Sequence, residues 1–139
     1  MRTGPRRVLV VEDDPALVAS MKRHLLKVGF GVVTAYDHWT AFAQLQATPL
    51  DVACIDLCLP DESGYELCER IRREPVLCLL PIVVTSERAF PDDMARAEEA
   101  GANAFLKKPF SMQLLAEALE MLVTGRAESR PPVRRLRRV

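Results

Sequence analysis

Three adjacent carboxylates, Glu12, Asp13 and Asp14, follow the apolar run Val8-Leu9-Val10-Val11. Packed side by side, such groups raise one another's pKa unless a cation neutralises them. An oxygen-only donor set suits a hard ion, and Mg²⁺ is content with one or two carboxylates plus waters and phosphate oxygens. Asp14 stands directly before Pro15, the pattern of a helix N-cap and first helical position, so one acid feeds a helix and two remain for a metal. A further acid, Asp56, follows the apolar stretch DVACI, the pair Thr85-Ser86 ends PIVVTS, and Lys107-Lys108 precedes Pro109. A carboxylate can attack phosphorus, an ammonium can neutralise phosphoryl oxygens, and a hydroxyl can hydrogen-bond them. Those are the requirements of phosphoryl transfer. Each signal also has a plain structural reading, as a cap, a turn or a surface charge. The functional reading rests on their joint placement at the ends of strands.

The elements that must position these residues are legible from period and punctuation. RVLVV (7 to 11), GVVTAY (31 to 36), DVACI (51 to 55), PIVVT (81 to 85) and NAFL (103 to 106) read as short buried strands. Helical segments separate them. Leu17, Met21, Leu25 and Val28 mark one face of the first helix, which Gly29 stops; Asp37 to Ala47 and Gly64 to Arg73 follow. Asp92 to Ala100 makes a weakly amphipathic fourth helix closed by Gly101, and Ser111 caps a fifth with Leu115, Leu119 and Leu122 on one face. Strands this apolar, separated each time by a helix, require a parallel sheet covered on both sides. The expected fold is α/β, a doubly wound five-stranded parallel sheet in the order 2-1-3-4-5, flavodoxin-like. Ligands of such sheets bind beyond the carboxyl ends of the strands, where all the candidate residues fall.

The chain has 139 residues, 49% of them hydrophobic and 27% charged, in keeping with one globular domain. Residues 1–5 read as a short extension, 6–124 as the domain, and 125–139 as a basic, disordered tail or linker. The net charge of zero hides an asymmetry: residues 126–139 carry six Arg and one Glu, leaving 13 basic and 18 acidic side chains before them. The tail is expected either to be solvated or to bind acidic protein or nucleic acid. No recognition helix or aromatic interleaving supports direct DNA reading. No apolar run is long enough for a membrane span, and none follows the basic N-terminus as a secretory h-region, so a cytoplasmic location is the default. Cys54, Cys58, Cys68 and Cys78 fit no metal spacing and are expected to be small core residues in a reducing compartment.

The segments VLVVEDDP, DVACIDLCLPDESGYEL, PIVVTSERA and EEAGANAFLKKPF resemble the receiver domain of two-component response regulators, the CheY-like superfamily, over residues 6 to 124. The resemblance implies that Glu12 and Asp13 hold Mg²⁺ together with Asp56 and the backbone carbonyl of Cys58. It implies that Asp56 is the phosphorylated aspartate, Lys108 the phosphate-pairing lysine and Phe105 the aromatic switch, with a cis bond between Lys108 and Pro109. Ser86 matches the switch hydroxyl by its offsets from Pro81 and Lys108. Thr85 is the second choice, since the family prefers a small residue next and Glu87 follows Ser86.

The function so implied is a phospho-accepting receiver rather than an enzyme acting on outside substrates. A sensor histidine kinase or histidine phosphotransfer protein would supply the phosphoryl group. A downstream effector or a second copy would read the face formed by the fourth helix, fifth strand and fifth helix. The fourth helix, with little apolar surface, is expected to be loosely held. Two other readings are a Mg²⁺-dependent aspartyl-phosphate phosphatase and a degenerate receiver serving as an interaction platform. The first lacks the second acid such enzymes carry two residues after the nucleophile, where Cys58 stands; the second does not explain a complete set of groups.

Overall fold

The alternation of strand and helix predicted from the sequence is present in the computed structural model, which describes residues 4–125 and the backbone pairing of residues 137–138. In chain order the elements are β1 (Arg7–Val11), α1 (Pro15–Lys27), β2 (Gly31–Ala35), α2 (His38–Ala47), β3 (Val52–Asp56), α3 (Gly64–Arg73), β4 (Ile82–Ser86), α4 (Pro91–Ala100), β5 (Ala104–Lys107), α5 (Met112–Gly125) and β6 (Arg137–Arg138). The strands are parallel, in the order β2-β1-β3-β4-β5-β6. The predicted order 2-1-3-4-5 is therefore observed, with one strand added. β3, β4 and β5 each begin and end one residue later than the apolar runs suggest, so Asp56, Ser86 and Lys107 are the last residues of their strands. At β4 the cause is Pro81, which has no N–H for the ladder but still accepts a hydrogen bond from Ala53 N–H at 3.0 Å.

Side-chain alternation sorts the sheet into two apolar layers. Leu9, Val11, Ala53, Ile55, Ile82, Val84 and Phe105 pack under α2, α3 and α4, whereas Val8, Val10, Val52, Cys54, Val83, Ala104 and Leu106 pack under α1 and α5. With both faces covered, every residue of β3 is buried. That burial fixes the ends of β1 and β3 beside each other, since Val10 pairs with Cys54 and Val11 with Ile55.

Caps tie the helices to these strands. Asp14 accepts from Ala16 N–H at 3.0 Å and Leu17 N–H at 3.4 Å at the start of α1, as expected. The start of α2 has an additional cap from elsewhere in the chain: Asp61, in the β3–α3 loop, accepts from His38 N–H (2.9 Å) and Trp39 N–H (3.3 Å). Slight burial opposes the charge, but these donors and the Glu62 N–H hold the Asp61 carboxyl below the usual carboxylate range. A depressed folded pKa stabilises the fold at neutral pH, and the benefit is lost as pH falls through the folded value. Asp61→Ala should therefore lower stability by about 1 kcal/mol at pH 7, in the range of a lost N-cap. The gap to wild type should narrow as pH drops below about 4, where the free carboxylate protonates. Urea midpoints at the two pH values check both statements, and a gap that widens in acid would refute the assignment.

Gly125 still belongs to α5, and Arg137–Arg138 pair with β5, Arg137 opposite Ala104 and Arg138 opposite Phe105. Residues 126–136, most of the expected tail, lie outside the described ones. The signal was absent from the side chains because strand addition uses backbone donors and acceptors that any residue carries. A helix between parallel strands is the ordinary crossover, and α5 provides it.

Candidate functional site

At the carboxyl end of β1, Glu12 remains in the sheet's embrace, its N–H donating to Ala35 O at 3.0 Å. Its side chain is 2% exposed and fully engaged: Oε2 accepts from Asp14 N–H at 3.1 Å and Oε1 from Lys108 Nζ at 2.8 Å. Asp56, one strand away, accepts from the same Lys108 Nζ at 3.0 Å through Oδ2, and from Cys58 N–H at 3.0 Å through Oδ1. One ammonium from the far end of the domain thus bridges two buried carboxylates on neighbouring strands. Asp13 is exposed, yet carboxylate oxygens of Glu12, Asp13 and Asp56 all lie within 4.8 Å of one another.

Lys108 reaches this position because Lys108 N–H donates to Ser86 O at 2.8 Å, anchoring the end of β5 to the end of β4; the Lys108–Pro109 bond is cis, as the resemblance implies. Lys107 points elsewhere, its Nζ donating to Lys108 O at 3.1 Å on the exposed side. Of the two adjacent lysines, Lys108 is therefore the one whose ammonium meets Glu12 and Asp56.

Electrostatics follow from the burial. Desolvation pushes the Glu12 carboxyl above its ordinary range, against the hydrogen bonds from Lys108 and Asp14 and with the Asp56 charge adding to the rise. For Lys108, burial opposes the charge, but bonding to Glu12 and Asp56 more than compensates and its pKa rises. The cluster is an acid-rich crevice held together by a single cation.

The hydroxyl candidates separate by face. Val83 packs with Leu106 and Val84 with Phe105, so alternation places Thr85 in the α1–α5 layer and Ser86 on the side of Phe105. Thr85 is buried, 2% exposed, opposite Asp56 in the ladder, while Ser86 is half-buried at the rim and its Oγ accepts from Arg88 N–H at 3.0 Å. Phe105 is fully buried. Glu87 is exposed and lines a groove of about 480 Å³ with Asp14, Lys107 and Lys108 beside the acid cluster.

The cysteines divide. Burial drives the Cys54 thiol far above its usual range and pushes that of Cys68 up to about 12, so these two are inert core residues as expected. Cys58 is exposed and Cys78 half-buried with its Sγ donating to Pro75 O at 3.3 Å, contrary to the expectation of a core position. Both lie in loops, and an apolar neighbourhood in sequence does not bury a loop residue.

One residue with a demanding role was named in the sequence only as a helix start. Gly64 N–H donates to Leu57 O at 3.0 Å, and a Cβ at Gly64 would collide with the Asp56 carbonyl oxygen and lie 2.7 Å from Leu57 Cα. The start of α3 therefore lies directly against the backbone that carries Asp56. Gly64→Ala should lower stability by about 2 kcal/mol, the scale of overpacking against an unyielding neighbour, and shift the amide resonances of Asp56 and Leu57. Unchanged stability with unchanged resonances would show that the loop has room.

Residues 8–120 match the family model of the response regulator receiver domain. The chain belongs to that family. Among curated relatives, the receiver is 33% identical over 131 residues to the transcriptional regulatory protein TcrA of Mycobacterium tuberculosis, an alignment covering 94% of this chain and 51% of TcrA. The chain thus spans about half the length of that relative. Protein PilG of Pseudomonas aeruginosa is 28% identical over 114 residues, covering 82% of this chain and 84% of PilG. Among solved structures, a putative response regulator from Chloroflexus aurantiacus superposes with a TM-score of 0.82 at 30% identity, covering 86% of this chain and 98% of the other. The chemotaxis response regulator CheY4 of Vibrio cholerae superposes with a TM-score of 0.81 at 26% identity, covering 85% and 98%. The receiver is accordingly a domain of two-component response regulators, a family that works with histidine kinases and effectors. Among the described residues, no helix is long and apolar enough to cross a membrane.

Proposed function

We propose that this receiver takes a phosphoryl group onto Asp56 and uses it to reset the face formed by α4, β5 and α5. The observation that supports this best is the single Lys108 ammonium shared by Glu12 and Asp56, with Asp13 within ligand distance. The all-oxygen donor set fits Mg²⁺, which Glu12, Asp13, Asp56 and the Cys58 carbonyl would hold. When bound, the ion supplies positive charge to offset the transferring phosphoryl oxygens.

The residues of the chain do the rest. An Asp56 Oδ attacks phosphorus in line while the bond from phosphorus to the donor histidine nitrogen breaks; the imidazole leaves with the bonding electrons. The donor is a sensor histidine kinase or a histidine phosphotransfer protein of the cytoplasm. Lys108 Nζ, already 3.0 Å from Asp56, pairs with the phosphoryl oxygens and draws away from Glu12. The Ser86 hydroxyl exchanges its Arg88 N–H partner for the phosphoryl group, and Phe105, on the same face, follows it into the space released. Water later hydrolyses the acyl phosphate, so the chemistry is confined to Asp56 and the chain acts on no outside substrate.

The output is a change in α4. Only Ala97 and Ala100 of this helix are buried, and it is held laterally by Tyr65, whose hydroxyl donates to Asp93 O at 3.3 Å and whose ring lies 4.0 Å beneath the Arg96 guanidinium. A downstream effector or a second copy of the chain reads the change. The deciding experiment is intact-protein mass spectrometry after incubation with a small acyl phosphate and Mg²⁺. Wild type should gain one phosphoryl group and Asp56→Asn none. An adduct that persists in Asp56→Asn would place the acceptor elsewhere.

A further inference from the structure

β5 would be the edge of the sheet were it not for Arg137–Arg138, which pair with the backbone of Ala104 and Phe105. Two features bear on why this segment lies there. The helices covering the two faces of β5 are acidic: α4 carries Asp92, Asp93, Glu98 and Glu99 against Arg96, and α5 carries Glu117 and Glu120 with no base, a net charge of −5 together. The segment beyond Gly125 has six Arg and one Glu, a net charge of +5. An exposed parallel edge flanked by two acidic helices is a ready template for a basic extended strand.

We propose that the β5 edge is a strand-addition site for Arg-rich extended backbone, occupied in this chain by its own residues Arg137–Arg138, and that a partner using this face must displace them. The pairing register reaches Phe105, so the strand lies beside the residue that the proposed switch moves; in that respect the inference rests on the function proposed above. Occupation in cis carries no cost of bringing two molecules together, and the crossover through α5 delivers the strand parallel to β5. The pairing is short, two residues, so it is a latch that a longer or better-matched strand can outcompete.

The test is residue-resolved amide hydrogen exchange on the full chain without any phosphoryl donor, which keeps it independent of Asp56 chemistry. Two variants are compared with wild type: Arg138→Pro, which removes a backbone donor, and the double variant Arg137→Asp/Arg138→Asp, which reverses the charge. Both should lose protection at β5 amides by about tenfold or more while amides of β1 and β3 stay unchanged, since edge pairing opens locally. Raising salt should weaken β5 protection in wild type toward that of the double variant. Equal β5 protection in all three proteins would overturn the proposal. Protection that rises with protein concentration, with a dimer by sedimentation, would also overturn it, because the strand would then come from a second copy.

Discussion

Lys108→Ala should lower the folding stability of the receiver by about 3 kcal/mol in chelator at neutral pH, and millimolar Mg²⁺ should restore most of it. Glu12 and Asp56 have side-chain exposures of 2% and 6%, and the Lys108 side chain, itself 14% exposed, is a cation hydrogen-bonded to both. Removing one partner of a buried charge set leaves the other charges uncompensated, which is far more damaging than losing a surface pair. Here two carboxylates would be left facing each other in a desolvated crevice, with Asp13 close by. A divalent ion in the same crevice relieves that repulsion and binds the folded state alone, so the variant should gain more from Mg²⁺ than wild type does. Urea unfolding with chelator and with Mg²⁺ gives the comparison. Lys107→Ala serves as the control, because its ammonium contacts a backbone oxygen on the exposed side. If Lys107→Ala were the more destabilised of the two, or if Lys108→Ala lost nothing in chelator, the bridging role of Lys108 would be wrong.

How much of this site was legible in the sequence depends on whether a residue acts by what it is or by where the backbone goes. Glu12, Asp13, Asp56 and Lys108 could be found because charged residues that end apolar strands of a parallel sheet must gather at one edge. Ser86 and Thr85 are adjacent and chemically alike; the offsets from Pro81 and Lys108 favour Ser86, and the faces of Val83 and Val84 put the two hydroxyls on opposite sides of the sheet. Gly64 gave no such handle: a missing Cβ carries no pattern, and the closeness of α3 to Asp56 is a property of the loop path. Asp61 carries no cap signature in the sequence, because the helix it caps begins 23 residues earlier. β6 was hidden altogether, since two arginines have no strand signature and the backbone of β5 supplies the reason for pairing. The fold was readable from apolar period because burial on both faces dictates it. The long-range polar contacts that set its details were not.

The largest of those unread contacts belongs to Arg72. As one of three arginines in the last turn of α3 it looks like a solvated charge complementing the helix dipole. In the structure its guanidinium closes the end of the molecule opposite the acid cluster. Nε and Nη2 donate to Gly101 O at 3.0 and 2.8 Å, Nη1 to Cys78 O at 3.0 Å and Leu80 O at 2.6 Å, and Nη2 also to Asn103 Oδ1 at 3.0 Å. The same Asn103 oxygen accepts from Ile82 N–H at 2.8 Å, so one planar fork ties the end of α4, the approach to β4 and the start of β5. Gly101 is moulded to it, with φ of +105° and Arg72 Cγ 2.6 Å from where a Cβ would stand. Arg72→Ala would leave several carbonyl oxygens without the donor they share, and hydrogen bonds from a charged donor are the stronger kind. The expected loss is about 3 kcal/mol, short of the sum of the single bonds because they share one side chain and water replaces part of them. Arg72→Lys should recover little, as a point ammonium cannot reach three directions at once. In a double-mutant cycle with Asn103→Ala the two losses should be clearly less than additive, since both break the same bridge. Strict additivity in urea unfolding, or a lysine that restores wild-type stability, would mean that the fork is a surface charge after all.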